Sequence, residues 1–343
     1  MGVKLKDFIK SKTITLDELN GKILAIDAHN MLYQFITTIR QRDGSLLVNS
    51  RGMVTSHLNG LFYRCTSFIE RGMKLAFVFD GKAPALKSKE IERRKGLKID
   101  AQLKFEAAQK KGDIDAMRMY GSRTAVLTKE MIEESKELLL LLGIPVVQAP
   151  SEGEAQAAYM TSRGDAFAAV SQDYDSLLSG SERVVRNLSI EGKRKRNGKF
   201  AYDIVKPELI LLSDVLNSLG VDREQLIVMA ILIGTDYNPK GVPGIGPQKA
   251  LKLVKSEKDF DRIFEKIEWK KHFDVDWKEI FYTIKDMPVL KDYKLQWSNP
   301  DIEGIRALLV EKHDFSAERV EQKLKKFVEE KDARKQMGLG KWN

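Results

Sequence analysis

A single cysteine, Cys65, stands in a chain of 343 residues, so no intrachain disulfide can form and a reducing, intracellular setting is expected. Histidine is almost as scarce. His29, His57, His272 and His313 lack the spacing of zinc ligands, which leaves oxygen donors for any bound metal. Apolar runs are short, and none approaches the roughly 20 residues that a membrane helix needs. The opening stretch MGVKLKDFIK has no apolar signal-peptide core, and Lys6 stands where a myristoylation signal requires Ser or Thr. No internal repeat is visible. What the chain does have is charge: 58 Lys and Arg against 49 Asp and Glu, a net +9 that favours a polyanionic partner. Its 43% hydrophobic content is enough for a sizeable core.

Four short runs that are nearly all apolar read as strands buried on both faces: KILAI at 22–26, KLAFVF at 74–79, IPVV at 144–147 and AFAAV at 166–170. Helical patterns over 53–71, 126–142, 152–163, 207–219 and 223–233 separate or follow them, so the fold class is α/β with a mostly parallel central sheet flanked by helices. The stretch 184–205 reads as a two-stranded hairpin with a basic tip from Lys193 to Lys199. Beyond about residue 256 the pattern is charged and helical, with no evident linker.

Acids recur at one kind of place. Asp27 follows ILAI, Asp80 follows AFVF, Glu152 and Glu154 follow IPVVQAPS, and Asp173 and Asp175 follow AFAAVSQ. Parallel strands put all of these on the carboxyl edge of the sheet, where open α/β folds hold their active sites. Ser151 and Glu154 also have the spacing of a helix capping box. Six acids on one edge repel each other, however, and stay ionised only if cations neutralise them. A carboxylate cluster without histidine or cysteine suits Mg²⁺ or Mn²⁺, and two such ions serve phosphodiester hydrolysis. Glu152 and Glu154 are therefore read as metal ligands, and Asp236, in LIGTDYN, as a seventh.

The stretches FDGKAPALKSKEIERR, APSEGEAQAAYM, SQDYDSLL and GTDYNPKGVPGIGPQKAL together closely resemble the flap endonuclease family of structure-specific 5′ nucleases. The similarity runs from the N-terminus to about residue 255 and more loosely to the end; without a eukaryotic-style basic C-terminal extension, the chain looks like an archaeal member, acting in the cytoplasm or nucleoid. The resemblance implies a nuclease that cuts 5′ flaps during lagging-strand maturation and base excision repair, with exonuclease activity from the same core. Residues 1–98 and 116–255 correspond to its N-terminal and internal regions, 256–332 complete one catalytic domain, and 333–343 form a tail. Asp27, Asp80, Glu152 and Glu154 match the acids of one metal and Asp173, Asp175 and Asp236 those of the other, with Glu154 shared. Lys87 and Arg94 match the basic pair that reaches the scissile phosphate. Tyr33 matches the aromatic that stacks on the neighbouring nucleotide, although on an apolar helix face its ordinary role is core packing.

Further expectations come from the same resemblance. Segment 82–118 carries 11 basic residues against 6 acidic ones, with Gly96 and Gly112 interrupting helical patterns; in the family it forms a helical arch over the site, passed by the single-stranded flap. Gly241, Gly244 and Gly246 precede a helix bearing Lys249, a suitable phosphate cradle, similar to the helix-two-turn-helix element that holds duplex DNA and a K⁺ ion. Lys193, Arg194, Lys195, Arg196 and Lys199 are expected to add sequence-independent phosphate contacts. Gln336, Leu339 and Trp342 have the spacing of a sliding-clamp peptide, with Asn343 in place of its second aromatic. A monomer acting on branched DNA is expected. A catalytically inactive DNA-binding relative would lack some of the acids or Lys87, and all are present. Bubble-cutting relatives carry a very long insertion between the residues matched by Asp80 and Glu152, here 72 positions apart.

Overall fold

The computed structural model describes residues 5, 8–190, 192–195 and 202–339. Alternation of apolar side chains in β2 (Ile23–Asp27) and β3 (Lys74–Phe79) sends Leu24, Ile26, Leu75, Phe77 and Phe79 to one face and Ala25, Ala76 and Val78 to the other. Both strands pair in parallel, and β4 (Val146–Gln148) adds beyond β3. On the other side of β2 lie β5 (Ala168–Val170) and β6 (Arg183–Arg186), also parallel. Two antiparallel strands, β9 (Glu208–Leu211) and β1 (Lys12–Thr13), close that edge, giving the order β1-β9-β6-β5-β2-β3-β4. The chain moves outward from β2 in one direction, then returns to β5 on its other side. The reversal falls between β2 and β5, the kind of crevice in which α/β sheets bind ligands.

The bulky face is covered by α1 (Ala28–Thr38), α2 (Ser56–Glu70) and α5 (Lys129–Leu141), and then by α13 (Ile302–Arg306) and α14 (Ala317–Leu339). Cys65 is buried there, as expected of a small core filler. The opposite face is alanine-rich, which lets α6 (Gly153–Ser162) approach through its own Ala157 and Met160. A second core gathers α7 (Asp175–Leu178), α8 (Leu212–Leu219), α9 (Arg223–Ile233), α10 (Pro247–Ser256), α11 (Phe260–Lys266) and α12 (Trp277–Lys285). Every residue of α9 from Leu226 to Ile233 is buried, so its register rests on a true capping box between Asp222 and Gln225. Two helices remain, α3 (Ser88–Lys111) and α4 (Ile114–Gly121), which form an antiparallel pair above the sheet edge.

Three local expectations need correction. Residues 208–211, expected in a helix over 207–219, form β9, because the exposed edge of β6 captures them as an antiparallel strand. The hairpin is shorter than expected. Val184, Val185 and Arg186 belong to β6 in the main sheet, and only β7 (Gly192–Lys195) and β8 (Tyr202–Val205) pair as a hairpin. Lys193, Arg194 and Lys195 thus lie in a strand, while Arg196 and Lys199 fall outside the described residues. Gly96 does not interrupt anything: α3 runs through it, and only Gly112, with φ +67°, ends the helix in a left-handed cap. An exposed glycine costs a helix about 1 kcal/mol, too little to break one packed at both ends. Gln336 and Leu339 lie in the last turns of α14, and Trp342 is outside the described residues. Among the described residues no helix is long and apolar enough to cross a membrane.

Candidate active site

All seven expected acids line one open cleft of about 380 Å³ at the carboxyl edge of the parallel strands, together with Tyr33, Lys87 and Arg94. Asp27 ends β2 and caps α1, its Oδ1 accepting the Asn30 N–H at 3.0 Å. Asp80 follows β3 and accepts the Gly153 N–H at 2.6 Å, at the start of α6. A Cβ at 153 would lie 2.8 Å from that carboxylate oxygen and 3.3 Å from the Val78 carbonyl oxygen, so a side chain there would push Asp80 aside. The α6 capping box expected from Ser151 and Glu154 does not form. Glu152 occupies the N-cap position without a side-chain cap bond, and Ser151 Oγ donates to the Lys82 carbonyl at 3.1 Å. Glu154 instead points inward and accepts from Ser171 Oγ at 2.9 Å.

Asp236 arrives from the second core. A buried turn fixes it: Asn238 Oδ1 accepts from the Thr235 N–H and hydroxyl at 3.1 and 2.6 Å, and its amide donates to the Ile231 carbonyl at 2.7 Å. Gly241, with φ +64°, lies so close that a Cβ would strike the Ile233 carbonyl oxygen at 2.1 Å, so the turn tolerates no side chain. The same turn leads into the exposed Gly244 and Gly246 and to Lys249 at the start of α10.

The electrostatics follow from this crowding. Burial and then the nearby Asp80 push Asp27 well above the usual carboxylate range, with Asp173 and Glu152 adding to the effect. Burial, then Asp175, Asp27 and Asp173, do the same to Glu154. Unpaired buried charge costs several kcal/mol per ion, so this cluster needs cations. Lys87 and Arg94 are the cations at hand. Lys87 Nζ lies 2.8 Å from Glu152 and 3.2 Å from Asp236, and Arg94 donates to Asp236 at 2.5 Å. Burial disfavours the Lys87 charge, but Glu152 and Asp236 outweigh it and hold the ammonium above its ordinary value.

In the cleft and behind its lining stand residues that the sequence did not single out. Asn30 donates to Asp173 Oδ2 at 3.2 Å and accepts the Gln172 N–H at 3.2 Å, tying the two strand ends together. Ser171 stands between Asp27 and Glu154. His29 Nδ1 accepts the Asp80 N–H at 3.2 Å. Glu90 is buried at 3% exposure and bonds both Arg93 and Arg94, which hold it down at about 2. Tyr33 is not a core residue: its ring faces the cleft beneath Lys98, whose Nζ lies 4.7 Å from the ring centroid and 3.2 Å from the hydroxyl. Only resemblance could have found Tyr33, and nothing in the spacing marks Asn30, Ser171 or Glu90.

The donor set facing the cleft is dominated by carboxylate oxygen, which suits hard divalent cations. As the side chains stand, no three histidine, cysteine or acidic groups among the described residues are close enough to share an ion. Glu152 and Asp236 are engaged by Lys87 and Arg94, so ion binding requires these side chains to move.

Known proteins resemble this chain along its whole length. The XPG N-terminal domain matches residues 1–101 and the XPG I-region matches residues 143–236. The chain is 52% identical to Flap endonuclease 1 of Staphylothermus marinus, covering 100% of this chain and 99% of that one. Identity to Flap endonuclease 1 of Pyrococcus abyssi is 50%, over 100% and 98%. Among solved structures, flap endonuclease-1 from Methanococcus jannaschii superposes with a TM-score of 0.76 at 42% identity, covering 97% of this chain and 100% of that one.

Proposed function

This chain belongs to the flap endonuclease family, and on that premise we propose that it hydrolyses the phosphodiester at the single-strand/double-strand junction of a 5′ flap, in Okazaki-fragment maturation and base excision repair. Exonucleolytic removal from a 5′ end uses the same site. The observation that carries the reading is the cleft itself: seven carboxylates at the sheet reversal, two of them driven toward protonation, beneath a helix that supplies Lys87 and Arg94.

Asp27, Asp80, Glu152 and Glu154 would hold one divalent ion and Asp173, Asp175 and Asp236 the other, with Glu154 shared; Mg²⁺ is the expected ion and Mn²⁺ its substitute. When bound, such a pair activates water and stabilises the leaving oxygen. The chain's own groups do the positioning. Lys87 and Arg94, freed from Glu152 and Asp236, neutralise the scissile phosphate, and Tyr33 stacks on the adjacent base. The exposed Gly244, Gly246 and Lys249 offer backbone and ammonium donors to duplex phosphates, with a K⁺ ion at the same turn. Lys193, Arg194 and Lys195 extend that contact along β7. Gln336, Leu339 and Trp342 are the segment available to a sliding clamp, and the enzyme acts as a monomer on branched DNA inside the cell.

End-labelled double-flap, nicked and blunt duplexes incubated with Mg²⁺ test this directly. Cleavage at the flap junction should dominate and should cease in EDTA. Asp173→Ala should lose several orders of magnitude in rate while still binding the flap substrate. Full activity in EDTA or in that variant would remove the metal reading.

A further inference from the structure

The inward stripe of the helix above the cleft is charged where a packed helix is ordinarily apolar. Lys87 at its N-cap, then Glu90, Arg94 and Lys98, recur every three or four residues and are at least partly buried, whereas Lys89, Glu92, Arg93 and Lys95 between them are exposed. Each member of the stripe is committed. Lys87 bridges Glu152 at 2.8 Å and Asp236 at 3.2 Å, Arg94 bonds Asp236 at 2.5 Å, and Lys98 covers the Tyr33 ring at 4.7 Å. Glu90, itself buried, braces Arg94 at 2.7 Å. The docked helix thus fills two places with its own cations: the gap between two carboxylates, and the face of the cleft's aromatic ring.

We propose that Lys87 is a placeholder cation, so that loading the divalent ions that Glu152 and Asp236 each help to hold and releasing the start of α3 from the cleft are one coupled step. The inference rests on the metal-dependent reading above and concerns the enzyme before DNA arrives. The physical reason is occupancy. One ammonium 17% exposed satisfies two carboxylates that are 18% and 13% exposed, and it cannot share them with an ion at close range. Linkage then makes the effect reciprocal: whatever Lys87 costs the ion in affinity, the ion costs Lys87 in docking. Ion binding would also free Lys87 and Arg94 for a phosphate, so that the basic pair becomes available only on a loaded enzyme.

Two DNA-free measurements on the full chain test the coupling. Calorimetric titration with Mn²⁺ should show Lys87→Met binding at least about fivefold more tightly than the parent, the lower end of typical coupling between sites. Lys89→Met is the charge-matched control, because Lys89 is 81% exposed and lies 3.8 Å from Asp274 instead of in the cleft; its affinity should stay within about twofold of the parent. In the parent protein, which needs no variant to fold, Mg²⁺ should increase the rate of reductive methylation at Lys87 severalfold, read by peptide mass spectrometry, without changing that at Lys89. Equal tightening by both substitutions, or Lys87 remaining protected in saturating Mg²⁺, would overturn the placeholder role. Parent protein that binds Mn²⁺ no less tightly than Lys87→Met overturns this inference alone, whereas failure of every form to bind Mn²⁺ overturns the metal reading with it.

Discussion

Lys87 is asked to do two things with one ammonium group, and its environment explains why it can. Between Glu152 and Asp236 its charge is held firmly despite burial, so it reaches a phosphate fully protonated. If it then stabilises charge developing on the scissile phosphate, Lys87→Ala should slow single-turnover cleavage by about 10² to 10³, or roughly 2.7 to 4 kcal/mol. Flap affinity should change far less, since many other phosphate contacts remain. Quench-flow at saturating enzyme and Mg²⁺ checks it, and near-normal turnover would remove Lys87 from the chemistry. The acids are legible in a sequence because an ionisable group next to an apolar run announces an energetic conflict, whereas Lys87, in APALKSKE, was marked only by the resemblance. Asn30, Ser171 and Glu90 are not legible. The first two are neutral, and Glu90 sits in a charged run where nothing distinguishes the one acid that turns inward; only packing reveals that it is 3% exposed and holds Arg94.

Among the elements, the strands with nearly all-apolar runs were the most readable, because burial on both faces leaves no other pattern. β9 was not, since Glu-Leu-Ile-Leu fits a helix equally well until the open edge of β6 competes for it. The docking of the C-terminal helices was equally invisible. His57 on α2 and His313, directly after the π-helical segment Ala307–Lys312 that continues α13, are buried and place their Nε2 atoms 3.3 and 3.0 Å from the two oxygens of Glu134 on α5, with Lys312 at 3.2 Å. Both Nδ1 atoms are buried without a partner, so each ring meets Glu134 through Nε2 alone. Burial lowers His313 below its ordinary value, against the opposing pull of Glu134. At this site the folded protein therefore binds fewer protons than the unfolded chain as pH falls below about 6.5, and the stability that His313 contributes declines there. Burial alone would raise Glu134, but His57, His313 and Lys312 bring it to about 2, so a second loss follows between its ordinary 4.5 and that value. Asp27 and Glu154, raised in the metal-free cleft, act in the opposite sense in parent and variant alike, so thermal unfolding in EDTA between pH 7.5 and 5.5 should show His313→Gln losing less melting temperature, or gaining more, than the parent. An unchanged slope would mean that His313 does not report the docking of α13 and α14.

Across the whole molecule the net charge of +9 is modest, so DNA affinity depends on where the basic groups stand. The cleft itself is acidic, and a phosphate chain entering it meets repulsion before it meets Lys87 and Arg94. Binding energy must then come from outside the cleft: from the exposed Lys249 beside Gly244 and Gly246, from the basic residues of α3, and from Lys193, Arg194 and Lys195 in β7. Contacts of this kind release counterions, so affinity should fall steeply with salt, by about 0.9 in log-log slope for each duplex phosphate engaged. Neutralising Lys193, Arg194 and Lys195 together, with Gln at each position, should weaken flap binding and reduce that slope by between about 0.9 and 2.7, depending on how many of the three meet a phosphate. The rate constant for cleavage of bound substrate should not change, because β7 lies in a hairpin separate from the sheet that carries the acids. Fluorescence anisotropy of a labelled double flap, in Ca²⁺ to prevent cleavage and across a range of KCl, measures the slope. A triple variant whose slope equals that of the parent would mean that β7 lies off the DNA and that the loop before α10 holds the duplex without it.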